Sequence, residues 1–290
     1  MIVTRLLGGL GNQLFQYAAG RALAARHRTT LKLDIDAFGA YRLRRYAVDA
    51  FRIGAAPLGP DEKARLRIAD GLPGGARGLL SRLRHGRPMP IFRERRFEYD
   101  PAWETAPSHC YLDGYWQSPR YFAAIEDVLR GELVVRDAPD EANRTAADRI
   151  RATVGVAVHV RRGDYVTSEH TNRYHGTCGP EYYAAAEAAL AVHDGPLHLF
   201  VFSDDPDWAE ANLRFFSPAT FMRHNDPLHD YEDLRLMTQC RHHIIANSTF
   251  SWWGAWLCTH PGKTVIAPLH WFREAGHDTA DLIPAEWIRL

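Results

Sequence analysis

Three charged side chains and a glycine follow a strongly apolar stretch of this chain. Residues 154–160 read Val-Gly-Val-Ala-Val-His-Val, which is typical of a strand buried on both faces of a parallel α/β sheet. Arg161, Arg162 and Asp164 come directly after it, at the end of the strand where open α/β sheets bind ligands. Two neighbouring guanidiniums favour a polyphosphate, because each offers paired N–H donors to phosphate oxygens. An Arg–Asp ion pair that braces a turn is equally compatible with the spacing.

His159 lies within the same apolar stretch. Because side chains alternate along a strand, His159 and Arg161 share one face and Arg162 points to the other. We therefore expect Arg161 to carry more of the chemistry than Arg162.

A glycine-rich segment near the start of the chain has a related arrangement. Residues 2–7 predict a first strand, residues 8–13 (Gly-Gly-Leu-Gly-Asn-Gln) a tight loop, and residues 14–27 a helix rich in Ala and Leu. A loop of this kind lets backbone N–H groups face a ligand. The spacing is not G-x-G-x-x-G, so the loop by itself favours a simple tight turn over a ligand site.

Two Asp-x-Asp pairs resemble metal-binding patterns. Asp34 and Asp36 follow a predicted strand at 29–33, where a capped turn explains them. Asp205 and Asp207 flank Pro206 after the apolar run 197–202, where Asp205 is expected to cap a helix with proline in its first turn.

Hydroxyl and amide side chains gather at a second strand-to-helix junction. The apolar run 243–246 is followed by Asn247, Ser248, Thr249 and Ser251, and then by an aromatic helix. Such a helix start favours an anion. His170, His175 and Cys178 fit no standard zinc spacing, so we interpret them as loop residues near a ligand.

Composition restricts the class of protein. Of 290 residues, 46% are hydrophobic and 24% charged, with 35 basic and 35 acidic side chains, which is typical of a globular protein with a real core. Zero net charge argues against nucleic acid or an anionic membrane as the main partner. The four cysteines are widely spaced, which favours a reduced, intracellular protein. No apolar run approaches the ~20 residues of a transmembrane helix, and the glycine-rich segment at 8–13 interrupts any signal peptide. We therefore expect a cytoplasmic enzyme.

The chain is long enough for two domains. A polar stretch at 139–151 places the predicted boundary at 150, with an N-terminal lobe over 1–150 and a C-terminal lobe over 151–290. Residues 57–90 are rich in Gly, Pro and Arg, which predicts a variable basic insertion. Its basic surface is a candidate for peripheral membrane contact.

Several separated blocks together resemble one family, the bacterial α-1,2-fucosyltransferases (glycosyltransferase family eleven). They occur in the family's order, span most of the chain and comprise residues 8–18, 159–165, 174–176 with 181–183, 231–234, and 247–257. The insertion at 57–90 has no counterpart among them. The resemblance implies an α/β fold of two Rossmann-like lobes (GT-B type), with the active site in the interdomain cleft.

The resemblance also implies a reaction. The donor is GDP-β-L-fucose, the acceptor a terminal β-galactoside, and fucose is transferred with inversion to the 2-hydroxyl to form an α-1,2 link in glycan or O-antigen synthesis. Neither a cofactor nor a metal ion is expected.

Roles follow for the candidate residues. Arg161 and Arg162 stabilise the leaving diphosphate, and Asp164 either acts as general base or braces Arg162. His159 contacts the nucleotide or diphosphate. Further donor or acceptor contacts are expected from Asp204 or Asp205 to guanine, from Ser248, Thr249 and Ser251 to phosphate, and from Asn12 and Gln13 to the fucose or acceptor.

Other classes stay open at this point. A sulfotransferase-like nucleotide-anion transferase would use the same arginine pair, and a fucosyltransferase could form another linkage. A non-catalytic sugar-binding protein is suggested by eight Trp and twelve Tyr, and a metal-dependent transferase by the Asp-x-Asp pairs. The preferred galactoside and the oligomeric state are not determined by these patterns.

Overall fold

The computed structural model describes residues 1–40, 44–66, 88–167, 173–191, 196–274, 276 and 278–290. Most of the predicted insertion at 57–90 lies outside these residues, as does His170. The chain forms two compact units. The first comprises Met1–Asp49 and Ile53–Glu132, and the second comprises Ala50–Arg52 and Leu133–Leu290.

The boundary therefore lies near Glu132 and not at 150 as predicted. The polar stretch that suggested a linker forms a helix, Glu141–Arg151, and this helix buries Ala147 and Ile150 in a core cluster of the second unit. Small apolar residues spaced along one helix face are sufficient for packing, although the segment as a whole is polar.

A parallel five-stranded sheet forms the centre of the first unit. Its order is β3-β2-β1-β5-β4, and its strands are β1 (Ile2–Arg5), β2 (Leu31–Asp34), β3 (Ala56–Pro57), β4 (Ile91–Arg93) and β5 (Cys110–Asp113). The helices are α1 (Leu10–Arg26), α2 (Ala37–Ala40), α3 (Pro60–Arg65) and α4 (Glu126–Glu132). Short 3-10 turns occur at Val48–Ala50, Pro101–Thr105, Pro119–Tyr121 and Ala123–Ile125.

The first helix begins earlier than predicted. It starts at Leu10 rather than at residue 14, with Gly9 as its N-cap. Asn12 and Gln13 therefore belong to the first turn of α1 and not to a loop. The two glycines before the helix were correctly interpreted as a tight connection, since Gly8 has a φ of +80° that favours glycine.

A parallel six-stranded sheet forms the centre of the second unit, in the order β11-β10-β9-β6-β7-β8. Its strands are β6 (Val154–Val160), β7 (Leu197–Ser203), β8 (Ala219–Phe221), β9 (His242–Ile244), β10 (Val265–Ala267) and β11 (Ile288–Arg289). The helices are α5 (Glu141–Arg151), α6 (Gly163–Thr167), α7 (Pro180–Ala191), α8 (Pro206–Asn212), α9 (Asp230–Met237) and α10 (Thr249–Leu257).

The strand β6 confirms the prediction of a fully buried strand. Its valines 156, 158 and 160 pack with α7 and α8 on one face of the sheet. Ala157 packs with α5 and α9 on the other face. Helices thus cover both faces, which explains why the strand is apolar along its whole length.

Each sheet has a point where the strand order reverses. In the first unit β1 lies between β2 and β5, and in the second β6 lies between β7 and β9. Connections leave in opposite directions from such a point, so a crevice opens outside the carboxyl ends of the strands. The loops after β1, β5, β6 and β9 are therefore the ones placed to bind ligands.

Among the described residues, no helix is both long and apolar enough to span a bilayer.

Candidate active site

The arginine pair at the end of β6 faces an aspartate pair at the end of β7. The two strands pair in parallel, with Val160 opposite Ser203. The next residues meet in the same register: Arg161 Nη1 lies 2.6 Å from Asp204 Oδ2, and Arg162 Nε lies 3.2 Å from Asp205 Oδ2. Each guanidinium is therefore oriented by its own carboxylate.

Asp204 also holds the backbone of the loop. Its Oδ1 accepts the Arg162 backbone N–H at 2.8 Å. Gly163 is packed against the same carboxylate, because a Cβ at this position would lie 2.5 Å from Asp204 Oδ2. A side chain at position 163 would therefore displace the Asp204 carboxylate that contacts Arg161.

Arg162 is held from two further directions. Its Cζ lies 3.7 Å from the centre of the Trp208 ring, which is a cation–π distance. Asp205 Oδ1 accepts the Trp208 backbone N–H at 3.3 Å and caps α8, which confirms the predicted helix cap. Asp205 thus connects the helix start to the Arg162 side chain.

These contacts engage both carboxylates but leave lone pairs on their oxygens. The side chains of Asp204 and Asp205 stay 26% and 38% exposed, so the guanine contact of Asp204 or Asp205 stays a prediction. All four carboxylate oxygens already accept a donor from the protein. The sequence places both aspartates at a strand end, but it does not reveal that two consecutive acids stand in register with two consecutive arginines. Both are interpreted as positioning residues for the arginines.

The arginine side chains stay partly accessible. The exposed fraction is 19% for the Arg161 side chain and 16% for that of Arg162. A guanidinium has five N–H donors, so it can bind a carboxylate and a second anion at once. This arrangement is compatible with a bound diphosphate, and that contact stays a prediction.

His159 contributes a neutral ring to this edge of the sheet. Burial, with a smaller effect from Arg161, lowers its pKa to about 3. Its Nδ1 has no hydrogen-bond partner in the described part of the chain, and Tyr183 Oη donates to its carbonyl at 3.1 Å. The imidazole is therefore an uncharged hydrogen-bonding group beside the arginines.

On the other side of β6, Asn247 anchors the segment that carries His175. Asn247 Nδ2 donates to the carbonyls of His175, Gly176 and Trp271 at 2.9, 3.3 and 3.2 Å. The His175 ring stacks on Tyr165 at 4.6 Å, and Tyr165 lies 5.2 Å from Arg161 Cζ. His175 lies in a short helical segment at 173–175 and not in a loop as predicted, and its proximity to a ligand stays a prediction.

The three hydroxyls at the start of α10 differ in what they can bind. Ser251 is fully buried, and its Oγ donates to the Ser248 carbonyl at 3.1 Å. A phosphate contact by Ser251 is therefore disfavoured, because its proton is used inside the helix. Ser248 is the N-cap residue without a side-chain cap hydrogen bond, and Thr249 is partly exposed, so these two keep the predicted role.

The side chain of Asp164 lies outside the described part of the structure. Its backbone belongs to α6. Its assignment as general base or as a brace for Arg162 stays a prediction.

Asp34 and Asp36 form a turn. Asp34 Oδ1 accepts the Asp36 N–H at 3.1 Å, Asp34 Oδ2 accepts the Tyr111 hydroxyl at 2.7 Å, and Lys63 pairs with both carboxylates. This is the capped turn that the sequence favoured. In the described ranges, no cluster of three or more His, Cys, Asp or Glu is arranged to hold a metal ion.

Gln13 is used inside the first unit, contrary to the predicted sugar contact. It is fully buried. Its Nε2 donates to the carbonyls of Gly8 and Arg45 at 2.9 and 2.8 Å, and its Oε1 accepts the Ala47 N–H at 2.9 Å. Asn12, one residue earlier, is only partly buried, and its Oδ1 accepts from Gln117 Nε2 at 3.2 Å.

The Gln13→Ala variant is expected to lose about 2–4 kcal/mol of unfolding free energy, because three buried backbone groups lose their partner and a cavity forms. Urea denaturation measures this loss. Asn12→Ala serves as the control and is expected to change stability by less than about 1 kcal/mol. A Gln13→Ala protein as stable as the wild type but impaired in ligand binding would restore the predicted sugar contact.

Sequence reasoning missed a polar network beside the sheet of the second unit. Asn143, in the first turn of α5, bonds to Asn225 and His224 at 3.0 Å, and Asn225 Nδ2 donates to Asp233 Oδ1 at 2.8 Å. Burial raises the pKa of Asp233 to about 7. These residues lie on three different segments, and no local sequence pattern links them. The sequence drew attention to Asp233 alone, because it lies in the family-like block 231–234.

Asp233 makes stability depend on pH. Its pKa of about 7 in the folded chain exceeds the ordinary value of about 3.9, so the folded state binds the proton more tightly and stability falls as the pH rises between these values. We compare the free energy of unfolding of Asp233→Asn with that of the wild type at each pH. This difference is expected to favour the variant by about 1–2 kcal/mol more at pH 8 than at pH 5. Urea unfolding of both proteins at both pH values measures this difference. A constant difference across pH would contradict the raised pKa.

Comparisons with known proteins show the family of this chain. The model of the family described as Glycosyl transferase family 11 matches residues 98–290. An alpha-1,2-colitosyltransferase from Escherichia coli is 32% identical over 100% of this chain and 99% of its own length. The chain belongs to glycosyl transferase family 11.

Other relatives of this family 11 member carry related names. The O-antigen biosynthesis glycosyltransferase WbnK of Escherichia coli is 30% identical, over 98% of this chain and 99% of that protein. A galactoside alpha-(1,2)-fucosyltransferase 1 from Lagothrix lagotricha is 28% identical, over 86% of this chain and 63% of that protein. The predicted family resemblance is confirmed, and the chain is a glycosyltransferase.

The fold also has a solved counterpart. A variant of Arabidopsis thaliana FUT1 in complex with GDP matches with a TM-score of 0.53 and 12% identity, covering 92% of this chain and 70% of that chain. At 12% identity, this similarity shows a shared fold and no more. Together with the two parallel sheets, it confirms the predicted α/β class with two Rossmann-like units of the GT-B type.

Proposed function

We propose that this family 11 enzyme transfers L-fucose from GDP-β-L-fucose to the 2-hydroxyl of a terminal β-galactoside, with inversion, in the cytoplasmic synthesis of a glycan such as an O-antigen. The observation that carries the proposal is the pair Arg161 and Arg162, fixed by Asp204 and Asp205 at the end of β6. The α-1,2 linkage is supported by a relative that matches over the full length of this chain and is named for α-1,2 transfer.

The arginines have a defined task in this reaction. As the C1–O bond of the sugar breaks, negative charge grows on the β-phosphate of GDP. Positive groups that are already oriented stabilise this charge without reorganisation. Arg161 is oriented by Asp204, and Arg162 by Asp205 and Trp208, so both are proposed to bind the diphosphate without a metal ion or cofactor.

We expect three further side chains to contact the sugar-nucleotide donor. His159 is proposed to offer its neutral ring to the nucleotide or diphosphate. Ser248 and Thr249 are proposed to donate to phosphate at the start of α10, where the helix dipole favours an anion. The general base is left open between Asp164 and a reaction dissociative enough to need little base assistance.

A second donor sugar is favoured by one observation. The relative that is 32% identical over the whole chain is named for transfer of colitose. Colitose is L-fucose without its 3-hydroxyl group, so an enzyme for either sugar needs the same nucleotide site. Discrimination then depends on whether a polar group pairs with the 3-hydroxyl.

The proposal is tested by GDP release from GDP-fucose and from GDP-colitose, each with and without lactose, in the presence of EDTA. Lactose-dependent release from GDP-fucose, with an α-1,2-linked trisaccharide identified by NMR, is expected. Preference for GDP-colitose would select the second candidate. Release that requires Mn²⁺ would contradict the metal-independent mechanism, and an absence of release with every galactoside would reject the proposed acceptor.

A further inference from the structure

In the first unit, two loops meet at the point where the strand order reverses. The connection after β1 leads into α1, and the turn at residues 114–117 follows β5, the strand next to β1. Asn12 and Gln117 join the two segments through a hydrogen bond of 3.2 Å. The position corresponds to that of the arginine pair in the second unit, at the carboxyl ends of the strands beside a reversal.

The turn at 114–117 is tightly constrained. Glu94 accepts the backbone N–H groups of Tyr115 and Trp116 at 2.7 and 2.9 Å. Gly114 packs so closely that a Cβ would lie 2.5 Å from the Cβ of Glu94. Trp116 has a φ of +56°, which is unusual for a large side chain, and its ring is fully buried.

This conformation leaves one aromatic ring at the surface. Trp116 packs against Trp103 and Tyr121 at 5.3 and 5.4 Å, whereas Tyr115 at the tip of the turn is 42% exposed. The rigid turn buries Trp116 and presents the preceding residue, Tyr115, to solvent. A side chain held in this way can bind a ligand with little loss of conformational entropy.

We propose that Tyr115, together with the Asn12–Gln117 amide pair, forms the subsite for the galactose ring of the acceptor. The axial 4-hydroxyl of galactose leaves C–H groups on one face of the ring, and this face stacks on an aromatic side chain. Amide groups donate to and accept from neighbouring hydroxyls. The subsite offers an aromatic surface and uncharged amides, which suit a neutral sugar, whereas the arginine pair of the second unit suits the diphosphate.

This inference rests on the proposed function, because it names the group that recognises the acceptor of that reaction. It goes beyond that function in assigning galactoside recognition to three residues of the first unit. Glu94 acts as a positioning residue, since it holds the turn from which Tyr115 projects.

The experiment compares the full chain with Tyr115→Ala and Tyr115→Phe, and with Phe216→Ala as a matched control. Phe216 is an aromatic residue of the second unit that is 67% exposed. For Tyr115→Ala we expect the KM for lactose to rise about tenfold, as is typical for the loss of an aromatic contact. The KM for GDP-fucose and the melting temperature are expected to stay unchanged. Tyr115→Phe keeps the ring and is expected to raise the KM for lactose much less than Tyr115→Ala does.

A second readout does not depend on turnover. Saturation-transfer NMR with lactose and GDP is expected to show galactose-ring contacts in the wild type and Phe216→Ala, and to lose them in Tyr115→Ala. If the wild type binds lactose through Tyr115 but transfers no sugar, the proposed function fails and the subsite stands. If Tyr115→Ala keeps both the lactose KM and the NMR contacts, or if the wild type shows no lactose contact, the subsite is wrong.

Discussion

Replacement of Arg161 by alanine is expected to lower kcat by about 10²–10³-fold, the usual effect of removing one oriented donor from a developing negative charge. Arg161 lies at the end of β6, and Asp204 fixes its guanidinium at 2.6 Å. Donor KM is expected to change less than kcat, because the interaction strengthens as the leaving diphosphate gains charge. Steady-state kinetics with GDP-fucose and lactose separate the two parameters.

The Arg161→Lys variant refines this prediction. Lysine keeps the positive charge but not the planar fork, so we expect an activity between those of the wild type and the alanine variant. Arg151→Ala is the control, since Arg151 is exposed on α5 and bonds to Asp148 and Gln239. If Arg161→Ala folds and retains near-normal turnover, the leaving-group role is wrong.

The Gly163→Ala variant is expected to lower kcat/KM at least about tenfold with little change in fold. An added Cβ would lie 2.5 Å from Asp204 Oδ2, so the carboxylate must shift, and we expect the guanidinium of Arg161 to shift with it. Moving an oriented group by about 1 Å can cost up to 10²-fold in rate. The same kinetic assay measures this effect, and a thermal melt monitors folding.

Two further variants identify the cause. Gly131→Ala is the control, because a Cβ at Gly131 in α4 would meet nothing within 4 Å. Asp204→Asn keeps an oxygen for the Arg162 N–H but removes the charge that orients Arg161. Since both changes act on the same contact, the double variant Gly163→Ala/Asp204→Asn is expected to be much less impaired than the product of the single effects. Additive effects would show that Gly163 acts independently of Asp204.

The sequence alone determined the features that depend on local patterns. The continuous apolar run of β6 predicted its burial on both faces, and Asp205 before Pro206 predicted the cap of α8; the structure confirms both. The order of the family-like blocks predicted the family. These results follow from side-chain periodicity, capping chemistry and short motifs, all of which lie within a few neighbouring residues.

The tertiary structure alone decided what each candidate side chain contacts. Gln13 carries the same amide group as Asn12, yet it is fully buried and bonded to backbone groups. Ser251 donates its hydroxyl proton to a backbone carbonyl, whereas Ser248 makes no side-chain cap hydrogen bond. The domain boundary moved because α5 packs on the sheet of the second unit.

Asp204 and Asp205 show the reason most clearly. Their partners, Arg161 and Arg162, are more than forty residues away in the chain, and they meet only because β6 and β7 pair in one register. Side-chain type determines which bonds are possible, whereas strand register and burial determine which of them form.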